Sequence, residues 1–141
     1  MAVRDPHIGY RPTWAEVNLS NLSFNLGEIR RKIPVDTRVM ACVKADAYGH
    51  GLIPVARQLV NDGVEYLAVA SVDEAIRLRQ ARICVPILVL GLILQQDIEP
   101  LFEYDITPTL CSEDFAVALD ERARERGKVM RVHIKVDTGM G

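Results

Sequence analysis

The sequence predicts an α/β fold on a parallel sheet, a partial (β/α)8 barrel of the TIM type that comprises the first five strands only. Three observations lead there. Apolar runs short enough for strands alternate with segments of helical apolar spacing. The alternation repeats in units of roughly 20 to 30 residues, the length of a strand-helix step. The run Arg38–Val43 is continuously apolar from its second residue, as a strand covered on both faces should be. A doubly wound open sheet would show the same alternation. However, no Gly-x-Gly-x-x-Gly follows a strand and no Walker loop is present, so the common nucleotide-binding versions of that sheet lose support. A closed barrel needs eight strands and usually ~250 residues. A chain of 141 residues therefore reads as a barrel cut short after its fifth strand.

In order along the chain, residues 1–12 read as an amino-terminal tail and 13–141 as the incomplete barrel domain. Thr13–Leu19 reads as an opening strand, and Ser20–Ile33 as a helix that Pro34 ends. Arg38–Val43 is the first barrel strand, with Lys44 at its carboxyl end. After a glycine-bearing turn, Leu52, Val55, Ala56, Leu59 and Val60 recur at helical spacing, and Asn61-Asp62-Gly63 stops that helix. Tyr66–Ala70 is the second strand. Ser71-x-x-Glu74 then has the form of a capping box, opening a helix that reaches about Ala81. Pro86 precedes the third strand, Ile87–Leu90, which Gly91 closes. A short helix over Ile98–Tyr104 leads to the fourth, Ile106–Leu110. Ser112 caps the next helix, whose first turn carries Glu113 and Asp114 where negative charge suits the dipole. Phe115, Ala118, Leu119 and Ala123 form its apolar stripe and Gly127 ends it. Val129–Val136 is the fifth strand, and residues 137–141 form a loop.

Composition narrows the function classes. The chain is 49% hydrophobic and 26% charged without low-complexity tracts, as globular domains are. Its net charge is -2 and its basic residues are scattered, which gives no case for nucleic acid. Residues 1–12 lack the apolar stretch of a signal peptide, and no apolar run approaches the ~20 residues of a membrane span. No membrane association and a cytoplasmic location are expected. Cys42, Cys84 and Cys111 are far apart, each in or beside an apolar run; buried thiols in a reducing compartment are the expectation. His7, His50 and His133 have no metal-ligand spacing, so no metal is expected.

Lys44 is the candidate for chemistry. Barrel enzymes place their reactive groups at the carboxyl ends of strands. A lysine whose stem is withdrawn from water is easier to hold neutral, and a neutral amine can attack an aldehyde, as attachment of pyridoxal phosphate requires. A lysine that snorkels out of a strand end is the plain alternative. The surrounding residues, Val43-Lys44-Ala45-Asp46-Ala47-Tyr48-Gly49-His50-Gly51, closely resemble the cofactor-lysine motif of alanine racemases. Thr13-Trp14-Ala15-Glu16-Val17, Pro86-Ile87-Leu88-Val89-Leu90-Gly91 and Lys135-Val136-Asp137-Thr138-Gly139-Met140-Gly141 resemble that family's opening strand, third barrel strand, and fifth strand with its loop. The resemblance runs from about Pro12 to the last residue.

The resemblance implies a pyridoxal 5'-phosphate-dependent isomerase that interconverts L- and D-alanine, supplying D-alanine for the cell wall. Lys44 would hold the cofactor and remove the α-proton from D-alanine. Tyr48 would hydrogen-bond the cofactor phosphate, and Leu90 would pack near the pyridine ring. Lys135 matches a lysine that some members carry in carbamylated form, where the new anion orients an arginine; that arginine would follow Gly141. An ordinary loop tyrosine and an exposed edge lysine are the plain alternatives for Tyr48 and Lys135. Cys42 lies near the site by the two-residue strand period, with packing its expected role. His50 is expected to shape the loop, and Asp46 and Asp137 to be loop and turn residues.

The full-length enzymes of that family are homodimers in which a β-rich domain follows the barrel. Their second base, a tyrosine, comes from that domain of the other subunit and is not among these residues. The chain by itself is therefore expected to be inactive. A non-catalytic pyridoxal-phosphate-binding barrel is an alternative, against which Ala47-Tyr48-Gly49-His50-Gly51 argues. Racemases of other amino acids, such as serine, could share this part. Amino-acid decarboxylases of related fold lack the Tyr-Gly-His-Gly continuation.

Overall fold

The computed structural model describes residues 14–139. The predicted tail, the first residue of the opening strand and the last two residues of the loop lie outside these. Five strands, β1 (Met40–Cys42), β2 (Tyr66–Val69), β3 (Ile87–Val89), β4 (Thr107–Leu110) and β5 (His133–Ile134), form one sheet in the order β1-β2-β3-β4-β5. Every neighbouring pair is parallel. The helices are α1 (Leu19–Arg30), α2 (Leu52–Asn61), α3 (Val72–Gln80), α4 (Ile98–Glu103) and α5 (Glu113–Glu125). Consecutive strands are adjacent and each crossover carries a helix, the local rule of a (β/α) barrel.

Register divides the sheet into two faces. Ala41 pairs with Leu67 and Leu67 with Ile87; Val69 pairs with Val89 and Val89 with Pro108. Leu67, Val69, Ile87 and Val89 belong to the main core with Val55, Leu59, Ala75, Leu78, Leu101 and Phe115 of the helices. The alternate row, Cys42, Ala68, Leu88 and Thr107, faces the other way. Ala68 and Leu88 are buried there too, outside the helix-side core. Both faces of β2 and β3 are thus covered, which is why these strands are apolar throughout.

Helix starts and stops follow local chemistry. Ser71 Oγ accepts from the Glu74 amide and Ser112 Oγ from the Phe115 amide, each at 3.3 Å. Gly63 and Gly127 turn the chain after α2 and α5 at φ +86° and +59°, which glycine adopts without a Cβ penalty. Arg79 holds the far end of α3. Its guanidinium donates to the carbonyls of Tyr104, Ile83, Val85 and Asp105 at 2.7–2.8 Å, tying α3 to the turn between α4 and β4.

Several expectations change. The opening strand is absent among the described residues: 14–18 join no sheet, and Trp14 is exposed. The carboxamide of Asn18 instead accepts from the amides of Ser20 and Asn21 and starts α1 at Leu19. That helix ends at Arg30, before Ile33. The fifth strand shrinks from Val129–Val136 to His133–Ile134, the two residues that pair with Thr109 and Leu110 of β4. The three thiols are exposed, not buried. Val43 and Ile83 take the interior positions beside Cys42 and Cys84, while Cys111 sits past the end of β4.

Candidate active site

The sequence-chosen residues collect at one end of the sheet. Lys44 lies two residues past Cys42, Leu90 directly follows β3, and Lys135 directly follows β5. Strand alternation puts Leu90 two positions on from Leu88 and Lys135 two on from His133, which is paired with Thr109. All three therefore fall at carboxyl ends, on the side away from the helix core. Lys44 is half-buried, and among the described residues its amine has no hydrogen-bond or ion-pair partner. An unpaired primary amine at the top of a parallel strand is chemically free to bond an aldehyde.

The chain leaves Lys44 in an uncommon way. Ala45, Asp46, Ala47 and Tyr48 all have φ between +52° and +55°, so Lys44–Tyr48 makes a turn of left-handed helix before Gly49 at φ +82°. Each non-glycine residue there is disfavoured by about 1–2 kcal/mol relative to right-handed helix. Hydrogen bonds hold the turn. The amide of Ala47 donates to Val43 at 2.8 Å and that of Gly51 to Asp46 at 2.9 Å. His50 donates from Nδ1 to the Ala47 carbonyl at 2.8 Å, so it shapes this loop as expected. Asp46 does more than occupy a loop. Its Oδ1 accepts from the Leu52 amide at 3.0 Å, at the start of α2, and from Arg77 of α3 at 3.4 Å.

Tyr48 stands out from this turn with its side chain largely exposed. Its hydroxyl and Cys42 Sγ share a hydrogen bond at 3.5 Å. That bond, then slight desolvation, pushes the phenol above its ordinary pKa, so Tyr48 is a protonated donor at neutral pH. Cys42 thus touches a site residue, where only packing was expected. Leu90 is half-buried; its amide donates to Val69 at 2.9 Å and its carbonyl accepts from Lys135 Nζ at 3.5 Å. Lys135 is otherwise exposed.

Sequence reasoning did not name Arg79, and it read Glu74 and Gly91 only as a helix cap and a strand end. Glu74 was assigned to its own helix cap, yet Oε2 accepts from the Ala70 amide at 3.0 Å and Oε1 from the Asp46 amide at 2.8 Å. The Ser-x-x-Glu spacing was its visible signal. Gly91 is required by close approach, since a Cβ there would lie 2.2 Å from the Ala70 carbonyl oxygen. A cavity of about 630 Å³ lies beside β1 and α1. Its lining includes Cys42, Tyr48 and His50 but not Lys44, Leu90 or Lys135. It follows the unpaired edge of β1, the place where a closed barrel would bring another strand. No helix among the described residues is long and apolar enough to cross a membrane.

Comparison with known proteins agrees with this geometry. The family described as "Alanine racemase, N-terminal domain" matches residues 17–141. The alanine racemase of Halothermothrix orenii is 50% identical over 131 residues, 93% of this chain and 35% of that protein. The solved alanine racemase of Clostridium difficile 630 superposes with a TM-score of 0.88 at 43% identity, over 94% of this chain and 35% of that one. A solved histidine racemase from Leuconostoc mesenteroides superposes at 0.80 with 30% identity, over 87% of this chain and 33% of its own. The chain spans about a third of the length of these relatives. With its five parallel strands in barrel order and a family match across nearly all its residues, the chain belongs to the alanine racemase N-terminal domain family.

Proposed function

We propose that this chain forms the cofactor-bearing part of a pyridoxal 5'-phosphate-dependent alanine racemase, with Lys44 as the lysine that holds the cofactor. The observation that carries the reading is the unpaired Lys44 amine at a strand's carboxyl end, one left-handed turn from the Tyr48 phenol. This donor set fits the group: an amine for its aldehyde and a protonated hydroxyl for its phosphate. Leu90, half-buried at the end of β3, offers an apolar contact for the ring. When bound, pyridoxal phosphate acidifies the α-carbon of an amino acid by delocalising the charge left on it.

The protein's own part is proton transfer and positioning. Lys44 Nζ would hold the cofactor and, once the substrate amine has replaced it there, would be free to take the α-proton of D-alanine on one face. Tyr48 would keep its proton and offer it to the phosphate. Inversion needs a second base on the opposite face, which we assign to a β-rich domain of a second subunit in a homodimer. Lys135 is a candidate for carbamylation, with its amine beside the Leu90 carbonyl. The family reading carries with it a cytoplasmic role in D-alanine supply for the cell wall. A racemase for another amino acid is the second reading, favoured by the likeness to the histidine racemase.

Attachment is tested by incubating the chain with pyridoxal 5'-phosphate, reducing with borohydride and mapping the adduct. The label is expected on the peptide containing Lys44 and lost in Lys44→Ala. Labelling that persists in Lys44→Ala, or falls mainly on Lys135, overturns the assignment.

A further inference from the structure

We infer that Glu74 is a positioning residue for the cofactor site: its carboxylate clamps the left-handed turn between Lys44 and Tyr48 to the end of β2. The inference rests on the reading of Lys44 and Tyr48 given above, and deepens it. Four consecutive non-glycine residues at φ near +54° persist only where surrounding structure holds them. The bonds within the turn could close equally well on a turn displaced as a unit. Ala47 packs the turn into the core and Leu52 of α2 bonds Asp46, while α3 adds side-chain bonds that tie the turn to the end of β2. Glu74 Oε1 accepts from the Asp46 amide at 2.8 Å, and Oε2 from the Ala70 amide, just past β2, at 3.0 Å. Arg77, three residues along the same helix, reaches the Asp46 carboxylate at 3.4 Å.

The helix that supplies this grip is itself firmly seated. Val72, Ala75 and Leu78 are buried on its inner face, and Ser71 Oγ holds the Glu74 amide. Glu74 is half-buried, while the two amides it accepts from, on Asp46 and Ala70, belong to exposed residues, so the grip lies at the rim of the site. A carboxylate is the group suited to this place, because it presents an acceptor to both amides. Glutamine offers one oxygen and would turn an N–H donor toward the second amide. Among the described residues Glu74 makes no hydrogen bond or ion pair with Lys44 or Tyr48; it acts through Asp46, the middle of the three residues between them.

The test compares Glu74→Ala, Glu74→Gln and Ser71→Ala in the full chain. Ser71→Ala removes the other cap of α3 without touching Asp46, and so reports what a loosened helix alone does. The first measurement, without cofactor, is hydrogen exchange at the Asp46 amide. The second is the apparent Kd for pyridoxal 5'-phosphate, with the share of borohydride-fixed label on Lys44. Glu74→Ala is expected to speed Asp46 exchange and weaken cofactor binding, each by about 10- to 100-fold, as loss of a charge-assisted bond implies. It should also spread label to other lysines. Glu74→Gln should lie between, retaining one of the two bonds, and serves if Glu74→Ala fails to fold. Ser71→Ala should change both measurements by clearly less than Glu74→Ala, since its lost bond holds the Glu74 amide and leaves both bonds of the carboxylate in place. Unchanged Asp46 exchange in the Glu74 variants overturns the inference, and so does equal weakening of cofactor binding by Ser71→Ala. If the unaltered chain binds no cofactor, the reading of Lys44 fails, while the exchange result still decides whether Glu74 holds the turn.

Discussion

Replacing Gly91 by alanine tests whether close packing at the carboxyl ends of β2 and β3 builds the site. A Cβ at Gly91 would lie 2.2 Å from the Ala70 carbonyl oxygen, against the 3.0 Å below which such contacts essentially do not occur. The obstacle is backbone and cannot rotate away, so the two strand ends must part by about 0.8 Å or more. The neighbouring bond from the Leu90 amide to Val69, now 2.9 Å, would open to about 3.7 Å, past hydrogen-bond range. Overpacking of this kind costs about 1–3 kcal/mol and the weakened bond about 1 kcal/mol more. Gly91→Ala should therefore lose about 2–4 kcal/mol. At ~3–5 °C per kcal/mol for a chain of this size, Tm should fall by roughly 6–20 °C. The assay is thermal and urea unfolding at matched concentration beside the unaltered chain. Cofactor labelling at Lys44 in the folded fraction shows whether the site moves with the strands. A variant that melts within about 2 °C of the unaltered chain would refute the packing argument.

Three further outcomes follow from other parts of the molecule. Arg79→Met leaves four carbonyls without their shared donor and should lower stability by about 2–4 kcal/mol in urea unfolding; an unchanged midpoint would show that solvent replaces the guanidinium without loss. The Val39 amide, with lesser help from Arg30 and Arg38, holds the Glu65 carboxyl below the usual carboxylate range. Its stabilisation is thus present above the unfolded value of ~4.3 and lost as pH falls through the lower folded value. The gap in urea midpoint between the unaltered chain and Glu65→Gln should be widest near neutrality and close on acidification, whereas a pH-independent gap would count against the ionic account. Finally, the 141-residue chain with pyridoxal 5'-phosphate should interconvert D- and L-alanine no faster than the free cofactor, because general acid–base assistance is worth ~10²–10⁴-fold per group and the second base is proposed above to come from another subunit; chiral chromatography showing faster conversion, abolished by Lys44→Ala, would contradict this.

Legibility from sequence differed between neighbouring residues for identifiable reasons. The strands β1 to β3 were readable because each lies in a short apolar run and β4 because it falls between two helical segments, and their parallel order followed from the intervening helices. Lys44 stood out as a candidate because it ends an apolar run where barrels place chemistry and lies in a stretch, Val43–Gly51, that resembles a cofactor-lysine motif. Thr13–Leu19 misled because β-propensity says nothing about whether a partner edge is available, and residues 14–18 have none. The cysteines misled because an apolar run does not say which face is covered: Cys42 lies in β1 on the row away from the helix core, and Cys84 lies one residue past the buried Ile83. Glu74 was half-read. Its spacing from Ser71 revealed the cap, while its second partner, Asp46, is 28 residues away in sequence.

Local order along the chain determined the strands and helices from residue 38 onward, the serine caps of α3 and α5 and the parallel alternation, and it singled out Lys44 as the candidate for an aldehyde cofactor, since each depends on periodicity or on neighbours within one turn. Tertiary structure decided the rest. It set the left-handed path from Ala45 to Tyr48, the grip of Glu74 and Arg77 on Asp46, the four-carbonyl anchorage of Arg79, and the need for glycine at position 91. The physical reason is common to all four. Each is a contact between chain segments that only the stacking of α3 beside β2 and β3 brings within hydrogen-bond or van der Waals distance, and no local pattern encodes a partner that the fold alone supplies.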